Sequence, residues 1–242
     1  MTAPLDDTFG YQSVAPAERQ RRIRGVFNAV AGRYDRMNDL MSFGIHRLWK
    51  RRFVRHLPTS GLIVDLAGGT GDVARLLAAA PGRTLVVCDP SEAMMRAGRA
   101  RPGAPALHWL GGEAERLPFA DRSVAALTVA FGLRNATRLE AALAEIHRVL
   151  APGGRFACLE FSRPQWWLKP FYDAYSFAVI PRLGAWVAGE PAAYRYLVES
   201  IRRFPDQRAF ARLIERAGFG QVGWRNLSFG IAAIHTAVRS AG

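Results

Sequence analysis

Short apolar runs alternate with stretches of helical period through the middle of this chain. Leu62-Ile63-Val64 leads into Asp65-Leu66-Ala67, and the next apolar residues, Val73, Ala74, Leu76 and Leu77, share one helical face. This predicts a strand at about 62–67 and a helix at about 72–80. Leu85-Val86-Val87-Cys88 predicts a strand at 84–89, followed by a helix near 91–100 and a strand near 106–110. Val124 to Phe131 is apolar nearly throughout, as a central parallel strand should be. Leu139, Leu143, Ile146 and Leu150 mark a helix at about 138–150, Pro152-Gly153-Gly154 a stop and turn, and Phe156 to Phe161 a fifth strand. A helix at about 206–217 and strands near 221–227 and 231–238 close the series. Only a short turn separates those last two strands, so they must be antiparallel. Alternation of this kind predicts an α/β fold: a doubly wound, seven-stranded, mostly parallel sheet whose last strand is antiparallel.

Two segments depart from the alternation. From Glu18 to about Leu57 the period is helical and basic, with Arg19, Arg21, Arg22, Arg24, Arg47, Lys50, Arg51, Arg52 and Arg55 among Ile23, Val26, Phe27, Leu48, Trp49 and Phe53. Residues 163–198 carry Trp166, Trp167, Phe171, Tyr172, Tyr175 and Phe177, and four prolines, which suggests a helical insertion over the carboxyl edge of the sheet. The expected organisation is a flexible stretch at 1–17 and one domain at 18–242, with a helical cap at 18–57 and a covering insertion at 163–198.

Composition adds little. Of 242 residues, 33 are Lys or Arg and 20 Asp or Glu, a net charge of +13 that suits an anionic membrane surface or nucleic acid. Arg far outnumbers Lys, so a solvated basic surface explains the charge equally well. The basic helices carry aliphatic stripes instead of base-stacking aromatics, so nucleic acid is not an expected partner. Cys88 and Cys158 sit in apolar runs with no Cys-x-x-Cys spacing, and no metal is expected. No run of 18 apolar residues occurs, so the expected location is the cytoplasm, at most peripheral to a membrane.

The chemistry concentrates in Asp65-Leu66-Ala67-Gly68-Gly69-Thr70-Gly71-Asp72 and in Asp89. A strand running into glycines lets the backbone turn sharply and lie against a ligand. An acid ending the next strand can accept bonds from both ribose hydroxyls, which makes a nucleoside site at the carboxyl ends of parallel strands. A dinucleotide dehydrogenase shares that opening. The antiparallel closing strand, the Gly112-Glu113-Ala114-Glu115-Arg116-Leu117-Pro118-Phe119 segment after strand three and the lack of a Tyr-x-x-x-Lys pair favour a methyltransferase using S-adenosylmethionine. In that reading Gly68, Gly69 and Gly71 pass close to the methionine part of the cofactor, Thr70 supplies an N–H and a hydroxyl, Asp89 holds the ribose, and Glu113 and Ala114 border the adenine.

Other segments are more specific. Val26 to Lys50, Phe131-Gly132-Leu133-Arg134-Asn135, Arg148 to Gly154, Leu159-Glu160-Phe161-Ser162, Tyr172 to Phe177, Tyr194-Arg195-Tyr196-Leu197 and Phe204-Pro205-Asp206-Gln207 resemble the UbiE/MenG quinone-biosynthesis C-methyltransferases. The resemblance runs from about residue 25 to 239. It implies a class I methyltransferase fold and methyl transfer from S-adenosylmethionine to a ring carbon of a polyprenylated quinol. Cofactor contacts carry over to Thr70, Asp89, Glu113 and Ala114. The family's serine before Phe-Gly-Leu-Arg-Asn is Ala130 here, which retains only a backbone contact.

Arg134, Tyr34 and Asp35 are the candidate catalytic residues. Arg134, just past strand four where the substrate must lie, would stabilise a quinolate or hold a proton-accepting water, since guanidinium is no base at neutral pH, or would form a structural salt bridge. Tyr34 and Asp35 would close the cofactor pocket. Asn135, Asp173 and Tyr175 would border the substrate. His46 and His235 are further candidate bases. A membrane, other quinone-biosynthesis enzymes and a second copy of the chain are the expected partners besides the quinol. The rival is a methyltransferase for another phenolic or small acceptor.

Overall fold

The computed structural model describes residues 8–33, 38–39, 42–58, 60–79, 82–102, 105–179 and 191–240. Seven strands form one sheet: β1 (Gly61–Leu66), β2 (Arg83–Asp89), β3 (His108–Gly111), β4 (Val124–Ala130), β5 (Leu150–Phe161), β6 (Phe219–Leu227) and β7 (Ala232–Arg239). Their order is β3-β2-β1-β4-β5-β7-β6. The first five are parallel, and β7 runs antiparallel between β5 and β6. The expected fold class is borne out, antiparallel closing strand included.

Successive residues of a strand face opposite sides of a sheet, and both sides here are covered. Val64, Leu66 and Leu127 join one cluster with α5 (Leu139–Val149) and α8 (Gln207–Arg216), through Leu143, Ile146, Phe210 and Ile214. Ile63 and Ala126 join the other, with Trp49 and Phe53 of α2 (Ile45–Phe53) and Val73 and Leu77 of α3 (Asp72–Leu77). Burial on both faces is why these strands read as apolar runs with no polar alternation.

The helices end by recognisable devices. Ser91 caps α4 (Glu92–Arg99), its hydroxyl accepting from Met94 N, and Asp206 caps α8 by accepting from Ala209 N. Arg239 of β7 donates to the carbonyls of His147, Arg148 and Leu150 at 2.7–2.8 Å, closing the carboxyl end of α5.

Two local features differ from the sequence pattern. Pro152-Gly153-Gly154 does not end a segment before β5; it is a bulge inside it. Val124 pairs with Leu150 and Ala126 with Arg155, so the extra residues loop out, with Gly153 at φ 75°. In the stretch expected to be loose, Thr8–Phe9 and Gln12–Ser13 pair as a hairpin and α1 (Pro16–Val30) begins. Arg19, buried beneath, donates to the Thr8, Asn135 and Arg134 carbonyls, and Phe9 stacks on Tyr196 at 4.3 Å. The aromatic insertion consists of α6 (Lys169–Ala174), a π-helical turn at Tyr175–Val179 and α7 (Pro191–Arg203), on either side of 180–190, which lie outside the described residues.

Candidate active site

Strand β1 is flanked by β2 on one side and β4 on the other, so the connections after β1 and β4 diverge and leave a crevice at the carboxyl ends. The loop after β1 lines it. Ala67, Gly69 and Gly71 all have positive φ, at 49°, 56° and 79°, and Gly71 N donates to Gly68 O at 2.8 Å. A Cβ on Gly68 would lie 2.8 Å from the Asp65 carbonyl, and one on Gly71 would lie 2.9 Å from the Trp109 ring. Gly71 therefore serves the packing behind the loop.

Asp89 closes β2 and is nearly fully buried. Its Oδ2 accepts from Gly69 N at 2.9 Å and its Oδ1 from Ser91 N at 2.7 Å. A carboxylate offers about four lone-pair positions, so two remain for the vicinal hydroxyls of a ribose. Burial pushes the Asp89 carboxyl up to about 6, against those two N–H donors.

A cavity of about 820 Å³, open mouth included, lies over this corner. Gly69, Asp89, Glu113, Ala114 and Asn135 all line it. Five of the expected residues thus come together from four separate connections. The turn carrying Glu113 and Ala114 is fixed by its neighbour Glu115, which accepts from the backbone N–H groups of Thr137 and Arg138. A smaller lobe of about 350 Å³ takes in Gly68, Thr70 and Ala130. Ala67, Gly69 and Phe131 border both spaces.

Helix α1 roofs the larger cavity with Gln20, Ile23, Arg24 and Phe27. Arg24 forms an ion pair with Glu113 across the mouth, and Asn28 Oδ1 accepts from Ser91 Oγ at 2.8 Å. Sequence reasoning placed none of these in the site. The signal was there: Ile23 and Phe27 are four apart, with Arg24 beside the apolar stripe.

Arg134 lies in a one-turn helix at Leu133–Asn135 and is 4 % exposed. Its guanidinium pairs with Glu160 at 2.9 Å, donates to the Phe131 carbonyl and lies 5.6 Å over the Phe161 ring. Neither cavity is lined by its side chain. Asn135 Oδ1 accepts from Tyr196 Oη at 3.0 Å. Asp173 pairs with Lys169 and Arg202, and Tyr175 packs on Phe43 at 5.8 Å; neither borders these cavities. Tyr34 and Asp35 lie outside the described residues.

The two histidines are committed elsewhere. His46 is bonded to Asp39 at 2.9 Å, and burial lowers its pKa. Burial takes His235 down to about 4, and its Nε2 is bonded to the Gln207 carbonyl.

The donor set suits S-adenosylmethionine: a buried acid with two lone pairs to spare, a loop that Cβ atoms would obstruct, and a lobe on either side of Gly69. Solved structures share the fold. A methyltransferase of Thermotoga maritima overlays with a TM-score of 0.66 at 22 % identity, covering 89 % of this chain and 99 % of that one. Phosphoethanolamine N-methyltransferase 2 of Haemonchus contortus, solved with S-adenosyl-L-methionine, overlays at 0.61 and 12 % identity, covering 79 % and 52 %. Among curated relatives, the ubiquinone/menaquinone biosynthesis C-methyltransferase UbiE of Rubrivivax gelatinosus is 66 % identical over 240 residues, 98 % of this chain and 95 % of that protein. The protein of the same name from Paracoccus denitrificans is 52 % identical over 96 % of each. Residues 15–239 match the ubiE/COQ5 methyltransferase family, and with that span added to the geometry the chain belongs to this family and is an S-adenosylmethionine-dependent methyltransferase.

Proposed function

We propose that this chain methylates a ring carbon of a polyprenylated quinol in ubiquinone or menaquinone biosynthesis. The observation that carries the reading is the 66 % identity to a protein of that name over nearly the whole chain. The bound cofactor supplies an electrophilic methyl group. Ring carbon is a weak nucleophile until a neighbouring hydroxyl loses its proton. The chain must therefore hold a flat ring in line, exclude water and stabilise charge on oxygen.

Phe131 borders the cofactor cavity and meets Phe161 at 4.6 Å, with Trp49 at 6.3 Å from both. This aromatic group is assigned as the wall against which the quinol ring lies. Arg134 lies behind it. Its Nε is buried without a hydrogen-bond partner among the described residues, which leaves one donor for a water between it and the ring. Asn135, its amide oxygen taken by Tyr196, offers a second donor. Tyr34 and Asp35 are assigned from the sequence alone to closing the pocket, residues 18–57 to a cap and 163–198 to the acceptor's cover.

A long isoprenoid tail suggests delivery from a bilayer, and no described helix is long and apolar enough to cross one. Trp166 is 85 % exposed, and Phe43, Phe171, Phe177 and Phe229 are exposed as well. The proposed membrane contact is this aromatic rim, with the cations of α2 beside it.

The test is transfer from labelled S-adenosylmethionine to two reduced short-tailed quinols, a methoxybenzoquinol and a demethylnaphthoquinol. Turnover of either, lost in Arg134→Ala while cofactor binding persists, is expected. Absence of turnover with the cofactor bound would assign a different acceptor.

A further inference from the structure

The smaller lobe contains a charge arrangement that ribose and adenine recognition leaves unused. Three ionisable side chains line it: Lys50 from α2, Asp65 from β1 and Asp72 at the start of α3. Lys50 is the sole cation lining it among the described residues, and it is buried. Its Nζ donates to Asp72 Oδ2 at 2.9 Å, while Arg101 holds the other oxygen, Oδ1, at 2.6 Å. Burial raises the Asp72 carboxyl, and the Lys50 and Arg101 charges more than reverse this, holding it at about 2.

We propose that Lys50 binds the α-carboxylate at the amino-acid end of S-adenosylmethionine, exchanging its bond to Asp72 for one to the ligand. Asp89 places the ribose in the larger lobe, and the two lobes meet at Gly69, so the thioether arm leads into the smaller one. There the arm ends in a carboxylate and an ammonium. A buried carboxylate is held most strongly by a cation, and Thr70 adds a neutral donor beside Lys50. Exchange costs little at Asp72, because Arg101 keeps its charge paired. The ammonium of the ligand is left to Asp65, whose oxygens accept from Thr128 Oγ1 and Ala74 N, each at 3.1 Å, and from no other group among the described residues. Burial raises that carboxyl to about 7, as expected of an acid short of positive charge.

Composition supports a specific role. Of 33 basic residues only Lys50 and Lys169 are lysine, and Lys169 is an exposed partner of Asp173 on α6. A mere need for positive charge in this chain is met by arginine. Lysine carries a compact point charge on a rotatable stem that can turn from one carboxylate to another, whereas arginine's planar fork fits a carboxylate only in a fixed geometry.

The inference rests on the cofactor and not on the acceptor, so a failed quinol assay leaves it standing. Calorimetric titration would compare S-adenosylhomocysteine with its decarboxylated analogue, which keeps the amine. The native chain is expected to favour S-adenosylhomocysteine by roughly 10- to 100-fold, the value of a charge-assisted bond. Lys50→Met is expected to abolish the preference, and Lys50→Arg not to restore it. Asp72→Asn, which frees the lysine, is expected to tighten S-adenosylhomocysteine alone. Equal binding of the two ligands by the native chain overturns the assignment, as does a preference that survives Lys50→Met. Should Lys50→Met not fold, an Asp72→Asn chain that shifts both ligands alike, or neither, would overturn it.

Discussion

Glu160→Gln removes the charge facing Arg134 and changes almost no volume. In the native fold the pair is desolvated, Arg134 being 4 % and Glu160 1 % exposed, with 2.9 Å between Nη1 and Oε1. Breaking such a pair typically costs about 3–5 kcal/mol, because the remaining charge stays buried. Two contacts moderate the loss here. The guanidinium keeps the Phe131 carbonyl and the face of Phe161, and an aromatic face contributes up to about 2 kcal/mol to a desolvated cation. The expectation for Glu160→Gln is therefore near the lower end, about 3 kcal/mol. Arg134→Met leaves the Glu160 carboxylate with only the N–H groups of Phe161, at 2.9 Å, and Arg134, at 3.4 Å, and should cost about 4 kcal/mol. The double variant removes both charges and should cost at least ~2 kcal/mol less than the sum of the two. Urea denaturation followed by tryptophan fluorescence measures all three, with the slope checked for constancy. Single losses under about 1 kcal/mol, or an additive double variant, would refute the view that this pair fixes the strand end.

Four other expectations follow from the structure. Asp89 must be ionised to accept both ribose hydroxyls and Asp65 to hold the ammonium, so affinity for S-adenosylhomocysteine should fall below about pH 7 and more steeply below about pH 6, and Asp89→Asn should remove only the second fall. The sign for stability is opposite. The folded carboxyl, at about 6, holds its proton above the unfolded 3.8, so the unliganded chain should lose up to about 3 kcal/mol between pH 4 and pH 6, read by thermal melts across that range. Gly98→Ala would place a Cβ 2.7 Å from the Thr70 carbonyl and 2.4 Å from the Trp109 ring; a loss of about 1–3 kcal/mol in urea midpoints, with weaker cofactor binding, is expected. Trp166→Ser combined with Phe171→Ser should reduce flotation with anionic vesicles while leaving the melting temperature unchanged, and equal flotation would remove the aromatic rim from the membrane reading.

The middle of the sheet was legible because β1, β2 and β4 are buried on both faces and read as apolar runs, with glycine and acid at the ends. Asp89, Glu113 and Ala114 could be placed on strand ends and turns by chain order alone. What sequence could not show was pairing across distance. The Arg134–Glu160 contact joins residues 26 apart, and Arg24–Glu113 residues 89 apart. Arg134 reads as a free cation until Glu160 is seen against it. The Pro152-Gly153-Gly154 bulge was missed for a local reason: a bulge and a turn ask for the same residues. Lys50 looked like one more charge on a basic helix, and only its burial beside Asp72 sets it apart.

The position of β7 bears on how the chain must be made. Strand β5 is complete at Phe161, but the strand that covers its open edge ends only at Arg239, 78 residues later (239 − 161). At about 5–20 residues per second, translation leaves that edge uncovered for roughly 4–16 s. During that time Phe156, Ala157, Cys158 and Leu159, all of them core residues in the finished fold, are paired with β4 on one side and leave an open apolar edge on the other. The nascent protein is therefore most exposed to aggregation late in synthesis, after five parallel strands are in hand. Loss of even the final strand would leave β5 as a permanent sticky edge and set β6 adrift from the sheet, a failure out of proportion to the few residues removed.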